Sequence, residues 1–191
     1  MTMDRPLPML TTPRLMLRPL VLEDATELLA LRRANRDFLK PWEPRRDDSQ
    51  FTRSAIERTI MEQQDLWKQD RGYSFGIFEQ SEHALIGWVT LSRITRGAFQ
   101  NCGLGYWLDQ AHNGRGLATE AVQAVVGFAF GELGFHRVEA ATLLHNVASM
   151  RVLEKVGFRR EGLALRYLQI DGHWQDHYLF AMTAEERNLC G

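Results

Sequence analysis

Apolar residues recur along the chain with two different periods, and the changes of period predict a mixed α/β fold. Apolar positions three to four residues apart predict helices, which fall at 23–35, about 54–69, 117–131 and a segment that ends at Gly157. Short apolar runs bounded by turn residues predict strands, which fall at 14–19, 73–79, 84–94, 100–108, 137–142, 163–170 and 173–182. In this order the elements predict a mixed sheet, with three antiparallel strands followed by a strand–helix crossover.

Turn residues punctuate these elements at two informative places. Pro41 and Pro44 exclude regular structure around Trp42, so we expect a loop there. Asp171 and Gly172 are a strong signal for a two-residue hairpin between the last two strands. No repeat, linker or low-complexity tract interrupts the 191 residues, of which 45% are hydrophobic. We therefore predict one domain over 1–191, with a core at about 11–185.

Composition and charge narrow the class of protein further. The net charge of −1 gives no overall field that would attract nucleic acid. Cys102 and Cys190 are too few for a disulfide framework, and no cysteine–histidine cluster has zinc spacing, so we expect no metal and a reducing compartment. The N-terminus has no apolar segment of signal-peptide length, and no run of about 18 apolar residues occurs. We therefore predict a cytoplasmic protein without membrane contact.

The stretch from His112 to Glu120 carries the clearest chemical signal. It follows a strand-like run and opens the predicted helix at 117–131. Gly114 and Gly116 allow a backbone with positive φ, while the free amides of the first helical turn and the helix dipole attract anions. We therefore expect a phosphate-binding turn for a cofactor that contains a pyrophosphate, and an ordinary strand–helix turn is the alternative.

Two common nucleotide-binding loops do not match this stretch. A loop for nucleoside triphosphates would end in Gly-Lys-Ser or Gly-Lys-Thr, and the stretch contains no lysine. A dinucleotide fingerprint would have a glycine where the chain has Thr119, and it would lie near the start of the chain. Neither class of ligand is therefore expected.

The pattern Asn113-x-x-Gly116-x-Ala118 resembles the coenzyme A pyrophosphate loop of the GNAT acetyltransferases. A second signature of that family is similar to 146–158, where a helix starts at an asparagine and ends in Gly-Phe. Further stretches, which extend the resemblance to the RimJ type of ribosomal-protein-alanine N-acetyltransferases, lie at 12–18, 38–44 and 167–177. The resemblance covers nearly the whole chain.

This resemblance implies the GNAT fold, with a mixed, mostly antiparallel sheet of about 6–7 strands flanked by about four helices. It implies acetyl-CoA as cosubstrate and, as acceptor, the N-terminal amine of a small-subunit ribosomal protein that begins with alanine. The residues that it assigns to acetyl-CoA are Tyr106, Trp107, Leu108, Asn113, Gly114, Arg115, Gly116, Leu117, Ala118, Thr119, Asn146 and Ser149. In the family, the main chain of the strand at the first three positions runs alongside pantetheine and directs N–H groups at the thioester oxygen.

The resemblance also implies how the leaving thiolate is stabilised. Many relatives place a tyrosine seven residues after the signature asparagine, where this chain has Leu153. Ser149 matches the serine that RimL-type enzymes place near the coenzyme A sulfur, so we assign to it the proton or hydrogen bond to the thiolate. The alternative is a serine that satisfies backbone groups in a helix capped by Asn146.

The acceptor site is expected between the loop around Trp42, the first two helices and the terminal hairpin. An α-amine has a pKa of about 7.7–8.0, against about 10.4 for lysine, so part of an N-terminal substrate is neutral without a strong base. Glu43 is our candidate for orienting the ammonium or accepting a proton through water, and a solvated loop carboxylate is the alternative. Tyr167 and Trp174 are assigned to substrate binding together with Trp42 and Glu43, and core packing is the alternative for the tryptophans.

Two other functions stay open. The acceptor could be a small amine such as a polyamine, an aminoglycoside or an amino acid; a deep acidic pocket would favour a polyamine, and an open groove with aromatic walls would favour a peptide. The chain could also act as a ribosome-assembly binding factor, because two arginine clusters would suit contact with a ribosomal particle. Solvated surface is the plainer interpretation of these clusters, which are formed by Arg32, Arg33, Arg36, Arg45 and Arg46. The sequence leaves both a monomer and a homodimer open.

Overall fold

Within the described residues 8–187, one open sheet of eight strands organises the chain, in the spatial order β1-β2-β3-β4-β5-β6-β8-β7. The structure is a computed structural model. The strands are β1 (Leu10–Thr11), β2 (Leu15–Arg18), β3 (Tyr73–Glu79), β4 (Ala84–Thr95), β5 (Asn101–Leu108), β6 (Arg137–Leu143), β7 (Arg159–Ile170) and β8 (His173–Thr183). The helices are α1 (Ala25–Ala34), α2 (Arg36–Leu39), α3 (Arg53–Lys68), α4 (Leu117–Gly131), α5 (Val147–Val156) and α6 (Ala184–Arg187).

The sheet is mixed, as the sequence predicted. β1 to β5 are antiparallel neighbours in chain order. β5 and β6 are parallel, and α4 makes the crossover that parallel neighbours require. β8 lies between β6 and β7 and is antiparallel to both. The predicted antiparallel strands followed by a strand–helix crossover are therefore confirmed.

The described part of the chain has more elements than the expected 6–7 strands and four helices. The additional strand β1 has two residues, and the additional helices α2 and α6 have four residues each, too short to show a periodic pattern. The prediction of a loop around Trp42 is wrong in part, because Lys40–Trp42 forms one 3-10 turn. Pro41 is compatible with that turn, since the first residues of a helix do not need their amides as donors.

Helices cover both faces of the sheet and divide the core in two. Side chains alternate along each strand, so Ile77 of β3 joins a cluster under α4 and α5, whereas Phe78 joins a second cluster under α1 and α3. α4 buries most of its predicted apolar face, at Ala121, Val122, Val125 and Ala129, with steps of one, three and four residues. The two faces are therefore separated by the strands themselves, and a site that connects them requires an opening in the sheet.

Local turn signals are confirmed where the chain needs a positive φ. Gly157 ends α5 with φ 106°, and the amides of Gly157 and Phe158 donate to the last carbonyls of the helix, which is the Schellman arrangement. Asp171 (φ 44°) and Gly172 (φ 84°) form the predicted two-residue hairpin. Cys102 is buried, while Cys190 lies outside the described residues. No helix in 8–187 is long and apolar enough to cross a membrane.

Candidate active site

β5 and β6 run side by side only at their first residues and then separate. Their parallel pairing covers four residue pairs and ends at Leu104 and Ala140. Beyond this point β5 stays paired with β4 as far as Leu108, whereas β6 stays paired with β8. Residues 105–108 and 141–143 therefore border a gap that opens inside the sheet.

The main chain of β5 presents hydrogen-bond donors to this gap. The Asp109 amide donates to the Ile86 carbonyl beside β4, with an N–O distance of 2.7 Å. Amides alternate in direction along a strand in an antiparallel pair, so the amides of Tyr106 and Leu108 point away from β4 and into the gap. This is the direction that main-chain stabilisation of a ligand oxygen requires.

A turn with two left-handed glycines follows β5 and leads into α4. Gly114 (φ 77°) and Gly116 (φ 78°) lie in the region that favours glycine, and Gly116 is the N-cap of α4. A Cβ added to Gly114 would meet no atom within 4 Å, so the space outside the turn is open. Among the described residues, the amides of 114–119 have no hydrogen-bond acceptor. These consecutive N–H groups form a cradle that fits an anionic diphosphate.

Long-range hydrogen bonds hold this turn in shape. Asn35 is buried at the end of α1, where its Nδ2 donates to Asp109 Oδ1 at 2.6 Å and its Oδ1 accepts from the Gln110 amide at 2.8 Å. On the other side, the Arg115 guanidinium donates to the buried Glu79 carboxylate of β3 at 2.6 Å. No local pattern predicts these contacts, because their partners are distant along the chain. Together they fix the turn before any ligand binds.

Arg14 and Glu120 connect the turn to the start of β2. Arg14 Nη1 donates to the Arg115 carbonyl at 2.8 Å, and Arg14 Nε donates to Glu120 Oε2 at 2.7 Å. The Thr12 hydroxyl donates to the other carboxylate oxygen of Glu120 at 2.6 Å. Burial raises the pKa of Glu120, but the hydrogen bonds from Thr12 and Arg14 outweigh it and lower the pKa below its ordinary value. The charged form of Glu120 therefore supports the turn through Arg14.

The other residues predicted at the turn contribute in different ways. The Asn113 side chain folds back and donates to the Asp109 carbonyl at 3.1 Å. The Leu117 side chain is fully buried in the core, so it can contribute only main-chain groups to the cradle. Ala118 and Thr119 are half-buried in the first turn of α4.

The first turn of α5 brings Asn146 and Ser149 near β5. Asn146 caps the helix, since its Oδ1 accepts from the Ser149 amide at 3.1 Å. The Ser149 hydroxyl is 2.9 Å from the Tyr106 hydroxyl of β5. Burial raises the pKa of Tyr106 to about 12, so the phenol is protonated at neutral pH. Leu153 packs fully buried in the core.

A cavity of about 460 Å³ reaches the same part of β5 from the face covered by α1 and α3. Its floor includes Gly105, Tyr106 and Trp107 of β5. Residues of the two long helices α1 and α3 border it, and these are the helices between which the sequence analysis expects the acceptor site. Its walls carry aromatic and charged side chains, namely Phe51, Trp88, Trp107, Arg32, Arg46, Arg58 and Glu62. Glu62 and Arg58 were not predicted, although their place on the polar face of α3 was a signal.

Glu43 lies beside this cavity in a network of ion pairs. Its two oxygens accept from Arg32 Nη2 at 2.6 and 2.8 Å, and Arg46 Nε is 3.2 Å away. Arg32 is buried with its guanidinium 5.0 Å from the Trp107 ring centroid. Glu43 lines a neighbouring cavity of about 690 Å³ with Asp171 of the terminal hairpin, whose amide donates to the Glu43 carbonyl at 3.1 Å. The carboxylate therefore has partners that the sequence did not predict.

The remaining predicted acceptor residues are dispersed. Trp42 packs against His145, just before α5, with the two rings tilted by 36° and their centroids 5.3 Å apart. Tyr167 of β7 contacts His177 of β8 with the two rings tilted by 60° and their centroids 5.6 Å apart. Trp174 is 63% exposed on the terminal hairpin, so it is not a core residue. These three aromatic residues are not among the described lining of either cavity.

Most arginines of the two basic clusters contact neighbouring groups of this chain. Arg33 donates to the Phe51 carbonyl at 2.7 Å, and Arg36 pairs with Asp48 at 2.6 Å. Arg32 and Arg46 contact the Glu43 carboxylate as described above. Among the described residues, no group of three His, Cys, Asp or Glu side chains is placed to hold a metal ion.

Comparison with known proteins agrees with this geometry. The profile of the acetyltransferase (GNAT) domain matches residues 14–159. The probable N-acetyltransferase YjcK of Bacillus subtilis is 45% identical, over 91% of this chain and 96% of its own. The [ribosomal protein uS5]-alanine N-acetyltransferase of Escherichia coli is 38% identical, over 93% of this chain and 91% of its own. RimJ of Mycobacterium smegmatis, solved with CoA-disulfide, has a TM-score of 0.88 and 33% identity, covering 94% of this chain and 88% of its own.

The chain belongs to the GNAT acetyltransferase family. It is an acetyl-CoA-dependent N-acetyltransferase, and relatives have been solved with coenzyme A bound. The residues of this chain fit that cosubstrate, because the gap between β5 and β6 offers main-chain donors and the turn at 114–119 offers unpaired amides. The predicted family, fold and cosubstrate are therefore confirmed.

Gly116→Ala is expected to weaken acetyl-CoA binding about tenfold, measured by calorimetric titration. A left-handed non-glycine residue costs about 1–2 kcal/mol, and about 1.4 kcal/mol corresponds to a factor of ten in Kd. Space is not the cause, because a Cβ at Gly116 would be 3.6 Å from its nearest neighbour, Arg14. Gly97→Ala is the matched control, since Gly97 has φ 72° and open space in a turn between β4 and β5. Equal affinity of both variants would show that the shape of the 114–119 turn is not needed.

Glu120→Gln is expected to lower the melting temperature at neutral pH by about 2–4 °C, or roughly 1 kcal/mol in a chain of this size. Because the folded pKa of Glu120 lies below the unfolded value of about 4.3, its contribution is present above that value and is lost as the pH falls through the folded pKa. The difference between the variant and the native protein should therefore shrink in thermal melts as the pH is lowered below the unfolded value of about 4.3.

The control for this prediction is Glu57→Gln, which removes an exposed helical pair with Arg53. Such surface pairs contribute little, so its melting temperature should follow the native protein at every pH. A Glu120→Gln difference that is independent of pH would contradict a role for the charged carboxylate.

Proposed function

We propose that this chain acetylates the N-terminal α-amine of a small-subunit ribosomal protein whose first residue is alanine. The observation that carries the proposal is the open, aromatic-walled cavity that meets β5 where the sheet separates. The name of the Escherichia coli relative, an alanine N-acetyltransferase for ribosomal protein uS5, supports this acceptor class. Contact with a ribosomal particle and the oligomeric state stay predictions.

The charge of the cavity argues against a polycationic acceptor. Three arginines line it, namely Arg32, Arg46 and Arg58. The one carboxylate among its described lining residues is Glu62, which forms no short ion pair with these arginines. A polyamine carries several ammonium groups and would be expected in an acidic pocket, whereas a peptide brings one amine and a polar backbone. The lining therefore favours a peptide N-terminus over a polyamine.

The chemistry at the amine requires only mild assistance. The α-amine pKa of about 7.7–8.0 leaves a substantial neutral fraction near neutral pH. We propose that Glu43 orients the acceptor by ordering the loop that borders the cavity, through its contacts with Arg32 and Arg46. Direct proton acceptance by Glu43 through water stays a prediction, and it would compete with those two arginines.

The chain holds the acyl donor with main-chain groups. When bound, acetyl-CoA supplies an acetyl group activated as a thioester. We propose that the amides of 114–119 bind its diphosphate and that the inward amides of Tyr106 and Leu108 stabilise charge on the carbonyl oxygen. Trp107 supplies the strand backbone between these two donors, and its ring packs under Arg32.

Stabilisation of the leaving thiolate is assigned to Ser149, in the first turn of α5. Its amide is occupied by the Asn146 cap, but its hydroxyl can donate to a sulfur in the gap. A hydrogen bond to a charged acceptor stabilises it by about 1.5–3 kcal/mol. We propose that Ser149 stabilises the thiolate in this way and that Asn146 fixes the helix turn that carries it.

Ser149→Ala is expected to lower kcat about tenfold to a hundredfold, because the thiolate loses one hydrogen bond. The Kd for acetyl-CoA should stay nearly unchanged, since the diphosphate and main-chain contacts remain. Ser54→Ala is the matched control, because Ser54 is also a first-turn helical serine but is exposed on α3. An unchanged kcat in Ser149→Ala would remove Ser149 from the mechanism.

The acceptor is tested by incubation with labelled acetyl-CoA and a panel of candidates. The panel contains unacetylated small-subunit ribosomal proteins, an alanine-initiated peptide, the same peptide with a blocked N-terminus, spermidine and an aminoglycoside. We expect label at the α-amine of the alanine-initiated substrates, mapped by mass spectrometry, and none on the blocked peptide. Preferential labelling of spermidine or of the aminoglycoside would overturn the proposed acceptor.

A further inference from the structure

Tyr106 connects β5 directly to the proposed thiolate-stabilising serine. Its hydroxyl oxygen is 2.9 Å from Ser149 Oγ and 3.3 Å from the Ser149 carbonyl oxygen. Tyr106 lies two residues beyond Leu104, the last β5 residue paired with β6, so it borders the gap. Its ring packs against the core cluster under α4 and α5. No other side chain among the described residues hydrogen-bonds the Ser149 hydroxyl.

Of the two hydroxyl groups, Tyr106 is favoured as the donor and Ser149 as the acceptor of the hydrogen bond between them. A serine hydroxyl carries one hydrogen and two lone pairs, so it can donate once while it accepts from another group. Tyr106 is protonated and can donate to Ser149 Oγ. If Tyr106 donates, the Ser149 hydrogen is free to point elsewhere. The Ser149 carbonyl is a poorer acceptor for Tyr106, because it is more distant and lies within a helix whose own amides use such carbonyls.

We propose that Tyr106 is a positioning residue, whose hydroxyl donates to Ser149 Oγ and thereby directs the Ser149 hydrogen at the departing sulfur. This inference rests on the proposed role of Ser149. Without Tyr106, a first-turn serine can rotate its hydroxyl toward backbone carbonyls of the preceding residues instead.

Acetyl transfer from the thioester to the amine balances without proton transfer from the hydroxyl of Tyr106 or of Ser149. The amine lone pair forms the new C–N bond, and the C–S bond breaks with its electron pair on sulfur. The proton of the acylated nitrogen goes to water, and the sulfur keeps its negative charge while Ser149 donates a hydrogen bond to it. Water protonates the thiolate after release. Tyr106 keeps its proton throughout, as a phenol with a raised pKa requires.

The role of Tyr106 can be tested through the pKa of the coenzyme A thiol in its complex with the protein. This measurement needs no acceptor substrate. The pKa of the bound thiol is measured from the ultraviolet absorbance of its thiolate during a pH titration. It should be lower in the native complex than in free coenzyme A. Tyr106→Phe should raise the pKa by about one unit, since a hydrogen bond to a charged group is weakened. Ser149→Ala should raise it at least as much.

A double variant separates positioning from packing. In the Ser149→Ala background, Tyr106→Phe should cause no further shift of the thiol pKa, because Tyr106 acts only through Ser149. Ser149→Thr keeps a hydroxyl and should restore most of the low pKa. Tyr178→Phe is the matched control, since Tyr178 packs against the same cluster on β8 and its hydroxyl has no hydrogen-bond partner among the described residues.

Three results would overturn the inference. A thiol pKa in Tyr106→Phe equal to the native value would remove Tyr106, and equal values in all variants would remove Ser149 with it. Additive shifts in the double variant would show that Tyr106 acts independently. Calorimetric titration checks that each variant still binds coenzyme A, so that a folding defect is recognised by lost affinity. If Ser149→Ala fails this check, the thiol pKa in Ser149→Thr tests whether a hydroxyl at this position lowers it. A wrong acceptor assignment would leave all these titrations unchanged.

Discussion

The separation of β5 from β6 beyond Leu104 and Ala140 is the constraint on which the site depends. Each strand keeps its outer neighbour, so the gap opens without leaving either strand unsupported. Main-chain donors of β5 then face an opening instead of a partner strand. The gap also connects the two faces of the sheet, and we propose that a thioester held on the α4–α5 side meets there an amine that enters from the α1–α3 side. Ligand binding at the carboxyl ends of such parallel strands is a general property of α/β sheets.

We propose that the turn at 114–119 makes this opening specific for an anionic donor, and contacts from distant residues hold the turn in shape. The sequence of the turn supplies glycines, but three distant contacts hold it: Asn35 from α1, Glu79 from β3 and Arg14 from the start of β2. Preorganisation of this kind spares the ordering cost that a flexible loop would incur on binding. On the proposed acceptor side, a distant contact likewise holds a loop in place, because the Glu43–Arg32 pair joins the loop that follows Pro41 to helix α1.

The features that the sequence predicted correctly are those that a few adjacent residues determine. The left-handed glycines, the bounds of α4, the Gly157 cap and the Asp171–Gly172 hairpin follow from the conformational freedom and periodicity of a few adjacent residues. The resemblance of the two motifs led to the family, its cosubstrate and its fold. The partners of Glu43, Tyr106 and Arg115 could not be predicted, because each lies on an element brought near only by the sheet topology. Short elements such as β1 and α2 escaped prediction because they span less than two periods.

We propose that the amides of 114–119 bind the coenzyme A diphosphate, and the other proposed roles depend on this contact. The most direct measurement is the NMR chemical shift of each backbone amide when isotope-labelled protein is titrated with coenzyme A or with pantetheine, which lacks the diphosphate. Coenzyme A should shift the amides of 114–119 strongly, and both ligands should shift those of Tyr106 and Leu108. Shifts at 114–119 that are absent with coenzyme A, or equally large with pantetheine, would contradict the account.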